Sequence, residues 1–474
     1  MAEVSSKRKA SDMNGSNGDE RDEPIIKSKK TNDHRRRSSF IKDRLPLPEP
    51  PKRSGNLLSC GQNEVGQLGF NDDVCEKTRP ALVKSVADSK IVDVSAGGMH
   101  SLYLTEDGEV WSFGCNDEGA LGRDTSEEGS EFEAQKVNLP NACIRITAGD
   151  SHSSFLLKDG RVFACGSFRD SHGTMGLNII GKQQFPIEVV PGEEFVDIKS
   201  GADHLVMLSN RGKVFTVGCA EQGQLGRVSN RSSSGESRRG KTQLLQPALL
   251  TATRFNFVDA IWTTTYCTFL RNRSNGAVFG FGLNNYNQLG LAKKNSETVF
   301  TPQLTTFENV KSITGGQHHT LVITNDNKSY AIGRKDYGRL GLGEIEDEVD
   351  KLTLIKDLQD INVVQLDCGE CCSFALTEDG KAYSWGMGSN QQLGIGSDED
   401  QFKPVLLTGA QVREREVIRI SSGGQHTLFI AAEKENKTNG IRETKTNGTN
   451  EAKKTNGTDE SKASEKTNTN GSTD

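Results

Sequence analysis

Short apolar runs recur along the chain at near-constant spacing, each too short for a helix and each bounded by glycine or a polar turn. Leu102-Tyr103-Leu104 turns at Asp107-Gly108 and returns as Val110-Trp111-Ser112-Phe113. Lys158-Asp159-Gly160, Asn210-Arg211-Gly212 and Glu378-Asp379-Gly380 mark the same turn elsewhere. Two apolar runs joined by a Gly-containing turn predict a β-hairpin. A further run precedes the hairpin, as in Ile91-Val92-Asp93-Val94, Val196-Asp197-Ile198 and Val417-Ile418-Arg419-Ile420. Another follows a proline (Pro80, Pro186, Pro302, Pro404). Four short strands per unit predict a propeller blade rather than a helical solenoid repeat.

A glycine motif, G-x-x-x-x-x-x-L-G, sets the period. It occurs at Gly61–Gly69, Gly114–Gly122, Gly218–Gly226, Gly282–Gly290, Gly333–Gly341 and Gly386–Gly394. A third copy, Gly166–Gly176, is two residues longer, and the opening glycines are spaced 53, 52, 52, 64, 51 and 53. The ends complement each other. Asn56-Leu57-Leu58-Ser59-Cys60 reads as the second arm of a hairpin with no first arm. Gly423-Gly424-Gln425-His426 leads into a first arm, up to Ile430, with no second. Pairing them closes the ring and removes its exposed edges. The expectation is an all-β seven-bladed β-propeller of four-stranded blades over 56–432, with N-terminal and C-terminal strands paired.

Composition agrees with this once the tails are set apart. Hydrophobic residues make up 33 %, and the 50 glycines raise the figure to about 44 %, near the usual value. Residues 1–55 carry 14 Lys and Arg against 9 Asp and Glu, about +5, which leaves about −11 for the rest of a chain of net charge −6. Lys7-Arg8-Lys9, Lys27, Lys29, Lys30 and Arg35-Arg36-Arg37 predict a disordered arm for nuclear localisation or nucleic-acid binding, and Arg36-Arg37-Ser38-Ser39 resembles a basophilic kinase site. Residues 433–474 repeat Lys-Thr-Asn-Gly and predict a second disordered tail. No apolar run approaches a membrane span, and the N-terminus lacks a secretory h-region, so the 10 cysteines are expected as buried thiols in a reducing compartment. Cys368 and Cys371 form a C-x-x-C without a second pair at zinc-ribbon spacing.

No nucleotide-binding P-loop, dinucleotide fingerprint or nucleophile elbow is present, and no cofactor is expected. Five of the eight histidines, His100, His152, His204, His318 and His426, are read at one repeat position, small-Gly-x-x-His, with Cys267 and Cys372 replacing it in two copies. Equivalent positions lie around a ring, too far apart to share an ion. Each histidine is therefore read as fixing its own blade's turn, and no metal is expected. Two neighbouring positions break the repeat: Asp150 stands where another copy has Gly98, and Asp203 where others have Met99 or Gln317. Carboxylates on the same rim would steer a basic partner. Two insertions also depart from the repeat. One is Ser167-Phe168-Arg169-Asp170-Ser171-His172-Gly173-Thr174-Met175; the other is the basic, Ser-rich Arg227–Lys241, with Arg231, Arg238 and Arg239.

Over 56–432 the chain resembles the regulator-of-chromosome-condensation family, nuclear guanine-nucleotide exchange factors for the small GTPase Ran. The segments that carry the resemblance are Gly-Cys-Asn-Asp-Glu-Gly-Ala-Leu-Gly-Arg (114–123), Gly-Ser-Phe-Arg-Asp (166–170), Gly-Gly-Gln-His-His-Thr (315–320) and Gly-Arg-Lys-Asp-Tyr-Gly-Arg-Leu-Gly-Leu-Gly (333–343). The resemblance implies exchange and Ran-contact roles for Asp150, Asp203 and His318, with His100, His426, Glu64 and Arg227 as further rim contacts. It implies a β-wedge at Phe168–Met175, pressing on the GTPase's phosphate-binding loop. Ser171-His172 and Thr174-Met175 depart from the family's residues there. The basic insertion resembles a loop that docks on the nucleosome's acidic patch, and the basic arm would bind DNA and a nuclear import receptor. The implied setting is chromatin in the nucleus, serving nucleocytoplasmic transport, mitosis and spindle assembly. The rival expectation is a propeller scaffold without exchange activity. A light sensor of the same superfamily would need clustered tryptophans, and only Trp111, Trp262 and Trp385 are present.

Overall fold

The computed structural model describes residues 44–233, 238–251, 257–293 and 296–434. Seven four-stranded antiparallel sheets form, each built in sequence from the innermost strand outward, and one two-stranded hairpin stands apart. Blade 2 is typical: Ile91–Ala96, His100–Thr105, Val110–Gly114 and Gln135–Lys136. The inner strands of blades 3 to 7 begin at Cys143, Phe195, Val258, Val310 and Val363. Blade 1 is composite. Its two inner strands, Arg415–Ser422 and His426–Glu433, come from one end of the propeller, and Asn56–Gln62 and Glu76–Leu82 come from the other. Asn56 pairs with Ala431 and the register runs through to Gly61 opposite His426, closing the ring as the unpaired arms predicted.

Burial falls from the second strand outward, and residue choice follows it. His152–Leu157 and His204–Ser209 are buried at every position, which is why these strands read as continuous runs rather than alternating ones. The outermost strands are the least buried and hold the prolines, on edges where a missing N–H leaves no ladder bond unmade. These strands begin before the proline, at Glu76, Gln183, Thr298 and Gln401. Apolar clusters lie between neighbouring blades, as where Val206 and Leu208 pack with Ile261, Phe269 and Ile313. All ten cysteines are free thiols; Cys75 is exposed, contrary to the uniform burial expected.

The basic N-terminal segment was expected to run as a free tail to residue 55. Instead, residues 44–55 are seated on the propeller. Leu45 N–H donates to Asn210 O, Arg53 pairs with Glu416 at 2.7 Å, and Gly55 bridges Ile91. Asn210 belongs to a hairpin turn, so this segment crosses the face opposite the glycine-motif loops. The nuclear-localisation candidates Lys7 to Arg37, and the tail after Lys434, lie outside the described residues. The basic insertion is not simply a loop: Asn230–Ser232 is a 3₁₀ turn, and Arg238–Leu245 is a helix that buries Leu244 and Leu245.

Candidate functional site

One face of the ring carries two sets of loops: the turns after the inner strands and the glycine-motif loops. A single hydrogen bond joins the sets in every blade. The residue just before the second strand accepts from the residue just after the motif's opening glycine: Met99 from Cys115, Ser151 from Ser167, Asp203 from Cys219, Tyr266 from Leu283, His318 from Arg334, Cys371 from Met387, and Gln425 from Gln62. The opening glycine makes this approach feasible. At Gly218, φ is +120° and an added Cβ would lie 2.4 Å from the Asp203 carbonyl oxygen. The rim position is therefore fixed by backbone, and its side chain is free to differ from blade to blade.

This register corrects the repeat alignment. The residue equivalent to His100, His152, His204 and His426 is His319, not His318. These five histidines are buried. Each Nε2 lies 2.8–3.0 Å from a hydroxyl of the next blade: His100 on Ser153, His152 on Ser200, His204 on Thr268, His319 on Ser373 and His426 on Ser101. They bind blade to blade rather than fixing a turn within one blade. Burial lowers their pKa values, to about 4 for His100 and about 3 for His152, His204 and His426, so they are neutral. At 1 % and 0 % exposure, His100 and His426 offer no surface to a partner, contrary to expectation. Arg227 is likewise turned inward. Its guanidinium donates to the Thr216 hydroxyl and carbonyl and to the carbonyls of Gln243 and Gln246, tying the basic insertion's helix to blade 4.

His318 takes the rim position instead, the same one Asp203 holds in blade 4. Its half-buried ring meets Tyr286 edge-on at 5.4 Å, and the Arg334 guanidinium lies 5.3 Å over the same tyrosine. Burial, then the Arg339 and Arg334 charges, lower its pKa to about 4. Asp150 occupies the preceding position of its turn, and the aligned residues in blades 6 and 7 are Gln317 and Glu370. Gln317 Nε2 donates to Glu370 Oε2 at 2.7 Å, and its backbone N–H to Glu370 O at 3.0 Å. Burial, with the Asp150 charge adding, pushes both Asp203 and Glu370 up to about 7; burial also raises Asp150. Three carboxyls thus share one region of the rim. Glu370 was not anticipated, although Cys368-Gly369-Glu370-Cys371-Cys372 aligns with Ala148-Gly149-Asp150-Ser151-His152 once the buried position is used as the anchor.

The third motif copy is the separate hairpin, Phe168–Asp170 paired with Gly173–Gly176. Phe168 and Met175 are buried and root it, with the Phe168 ring 4.7 Å from His152. Carboxylates from three places hold the rest. Asp203 Oδ1 accepts from the Arg169 N–H at 2.7 Å. Glu118, from the motif loop of blade 2, accepts from the Thr174 hydroxyl at 2.5 Å and lies 3.7 Å from the Arg169 guanidinium. Glu221, from the loop of blade 4, accepts from Ser171 N–H and Oγ at 3.0 and 2.6 Å. The hairpin stands between two blades on the acidic rim. Glu64 is exposed on the first motif loop of the same face, and Arg231 is exposed on the basic insertion. The side chains of Arg238 and Arg239 lie outside the described residues.

Residues 56–429 match the RCC1-like domain family. A "Regulator of chromosome condensation" of Drosophila melanogaster is 51 % identical over 386 residues, covering 81 % of this chain and 70 % of that protein. The Homo sapiens protein of the same name is 46 % identical, covering 80 % and 91 %. This chain belongs to the regulator-of-chromosome-condensation family. A Saccharomyces cerevisiae relative, 28 % identical over 79 % of this chain and 85 % of its own length, is named "Guanine nucleotide exchange factor SRM1". Two solved yeast structures share the fold. One is Prp20p, a protein with binding properties to Gsp1p and histones (TM-score 0.74, 26 % identity, 84 % of this chain and 95 % of that one). The other is yeast RCC1 (Prp20) bound to Kap60 (TM-score 0.77, 25 % identity, 88 % and 97 %).

Proposed function

We propose that this protein is the guanine-nucleotide exchange factor of a Ran-type nuclear GTPase, acting on chromatin. Family membership supports exchange in general. The observation that carries the specific reading is the hairpin 168–176, braced by Asp203, Glu118 and Glu221 on a rim that also bears Asp150 and Glu370. A folded scaffold needs no such braced projection.

The mechanism follows from linkage. A nucleotide held at nanomolar affinity is bound by about 12 kcal/mol. A factor that weakens that binding must bind the empty GTPase more tightly by the same factor. It therefore needs a broad interface, on the order of 1,600 Å², and one element that disfavours the nucleotide-bound state. The rim carboxyls supply charge for a basic surface and neutral His318 supplies a hydrogen-bonding imidazole. The wedge, with Arg169 and Thr174 exposed along it, displaces the phosphate-binding loop. No covalent bond changes, and excess GTP refills the site.

The yeast relative bound to Kap60 supports reading the basic arm (Lys7 to Arg37) as cargo for an import receptor, with DNA contact after entry. The histone binding of the yeast protein Prp20p supports reading Arg231, Arg238 and Arg239 as contacts to the nucleosome's acidic patch. The deciding experiment is release of fluorescent GDP from purified Ran with catalytic amounts of this protein. Multiple-turnover acceleration is expected. Release at the intrinsic rate, with Ran and nucleosome binding intact, would leave the scaffold reading in its place.

A further inference from the structure

The hairpin tip carries chemistry that nucleotide exchange does not require. Asp170 and His172 lie on either side of Ser171 at the tip, and Glu221 reaches the same point from the motif loop of blade 4. One ligand-type atom from each of the three lies within 4.8 Å of the others. His172 Nδ1 is 3.9 Å from Asp170 Oδ1 and 3.9 Å from Glu221 Oε1. Two carboxylates therefore face one imidazole nitrogen. The backbone holds the tip in that shape: His172 N–H donates to Asp170 Oδ1 at 2.9 Å and Ser171 N–H to Glu221 Oε2 at 3.0 Å. The Ser171 hydroxyl sits among the three groups, 2.6 Å from Glu221 Oε1 and 3.2 Å from His172 Nδ1.

We propose that Asp170, His172 and Glu221 form a binding site for a zinc-type divalent cation, which pins the hairpin tip to blade 4. One nitrogen and two carboxylate ligands suit zinc, and three protein ligands leave a fourth position for water. Bonds of about 2.0–2.1 Å at tetrahedral angles place ligand atoms about 3.4 Å apart. Closing each 3.9 Å separation takes about half an ångström and closing the two carboxylates, which lie within 4.8 Å of each other, at most about 1.4 Å, within reach of an imidazole 62 % exposed at a hairpin tip. The cation would take over from the Ser171 hydroxyl the task of joining Glu221 to the hairpin, with added positive charge between two carboxylates. The site is independent of the five buried histidines.

Titration calorimetry of the untagged full chain with Zn²⁺ tests the site. One equivalent is expected to bind, weakened at least tenfold in His172→Asn and in Glu221→Gln. Cobalt(II) bound at the same site should show no thiolate charge-transfer band, which separates it from exposed Cys75. Amide hydrogen exchange over residues 168–176 should slow on adding Zn²⁺ to the wild type and not to His172→Asn. Unchanged affinity in both variants, a thiolate band accounting for the binding, or unaltered hairpin exchange would each overturn the proposal. Its bearing on nucleotide release rests on the wedge reading: Zn²⁺ should change the GDP-release rate of the wild type at least threefold and leave that of His172→Asn unaffected. If neither protein accelerates release while zinc binding and amide protection persist, the exchange reading has failed and the metal site stands.

Discussion

His318 and His319 are neighbours in the chain and belong to different machines. His319 lies fully buried, its Nε2 2.9 Å from Ser373 of the next blade, one of five equivalent links around the ring. His318 stands half-buried on the rim against Tyr286, at a position whose occupant differs in every blade. The buried position is set by packing between blades; the rim position is set by backbone alone, through the bond from Arg334 N–H to the His318 carbonyl. A repeat scaffold can thus hold its side-chain chemistry constant at one residue and vary it at the next. The largest expected contrast lies here. His319→Ala removes the buried hydrogen bond to Ser373, whose hydroxyl keeps its bond to the Arg339 carbonyl, and leaves a cavity, costing about 2–4 kcal/mol. His318→Ala should cost less than about 1 kcal/mol and instead weaken GTPase binding. Urea midpoints of the two variants check this, and equal losses would erase the distinction.

Asp203 sharpens the same contrast in blade 4, next to buried His204. Asp203→Ala is expected to slow GDP release about a hundredfold and to shift stability by about 1 kcal/mol at most, since its carboxyl is itself held at a cost, with a pKa of about 7. Asp203→Asn separates two roles, because the amide oxygen still accepts from the Arg169 N–H. If charge matters, Asn is as slow as Ala. If seating the hairpin matters, Asn recovers most of the rate. Release at the wild-type rate by folded Asp203→Ala would remove this residue from the mechanism.

The scaffold was legible because it repeats: seven glycine motifs gave the period, and the unmatched arms at Asn56 and His426 gave the closure. Asp150, Asp203 and the hairpin were legible as breaks in that repeat. Two adjacent histidines let the alignment slip by one residue, which sets His318 among the buried histidines. The match between Glu370 and Asp150 needs only Cys372 at the histidine position, which the sequence already offers. His100 and His426 were carried to the rim on likeness alone, and only burial shows them inside the ring. The bracing of the hairpin by Glu118 and Glu221 had no sequence signal, because both come from ordinary motif loops of other blades and meet the hairpin only through the tertiary fold. The segment 44–55 reads as tail by composition, and its seat on Asn210, Glu416 and Ile91 is equally non-local.

A smaller effect is expected away from the rim, at the basic insertion. Arg231, Arg238 and Arg239 changed together to Glu should weaken nucleosome binding about tenfold at physiological salt and less at high salt, where such charges are screened. Release of GDP from Ran in solution should stay at the wild-type rate. Arg227 makes the internal control: its four inward hydrogen bonds predict that Arg227→Ala loosens the insertion's helix and lowers stability, even though it too is a basic residue of this segment. Parallel losses of exchange and nucleosome binding in the triple variant would place the insertion on the GTPase side.

The smallest expected effect is the pH dependence, and there the two regions pull in opposite directions. The buried histidines have folded pKa values near 3–4 against 6.5 unfolded, so the stability they confer is present above about 6.5 and is lost as pH falls toward 4. Glu370 is the reverse case for a carboxyl: its folded value of about 7 lies above the unfolded one, so the native state binds the extra proton and stability declines as pH rises from about 4 to 7. On the proposed function, ionisation over that range would equip the rim for a basic partner. Glu370→Gln keeps an oxygen for Gln317 Nε2 and removes the titration. The difference in unfolding free energy between variant and wild type cancels the histidine contribution, and it should favour the variant increasingly from pH 5 to pH 8. Over pH 6 to 8, GTPase affinity should rise several-fold in the wild type and less steeply in Glu370→Gln. Parallel pH profiles for the two proteins would mean that Glu370 is a structural partner of Gln317 and no part of the charged rim.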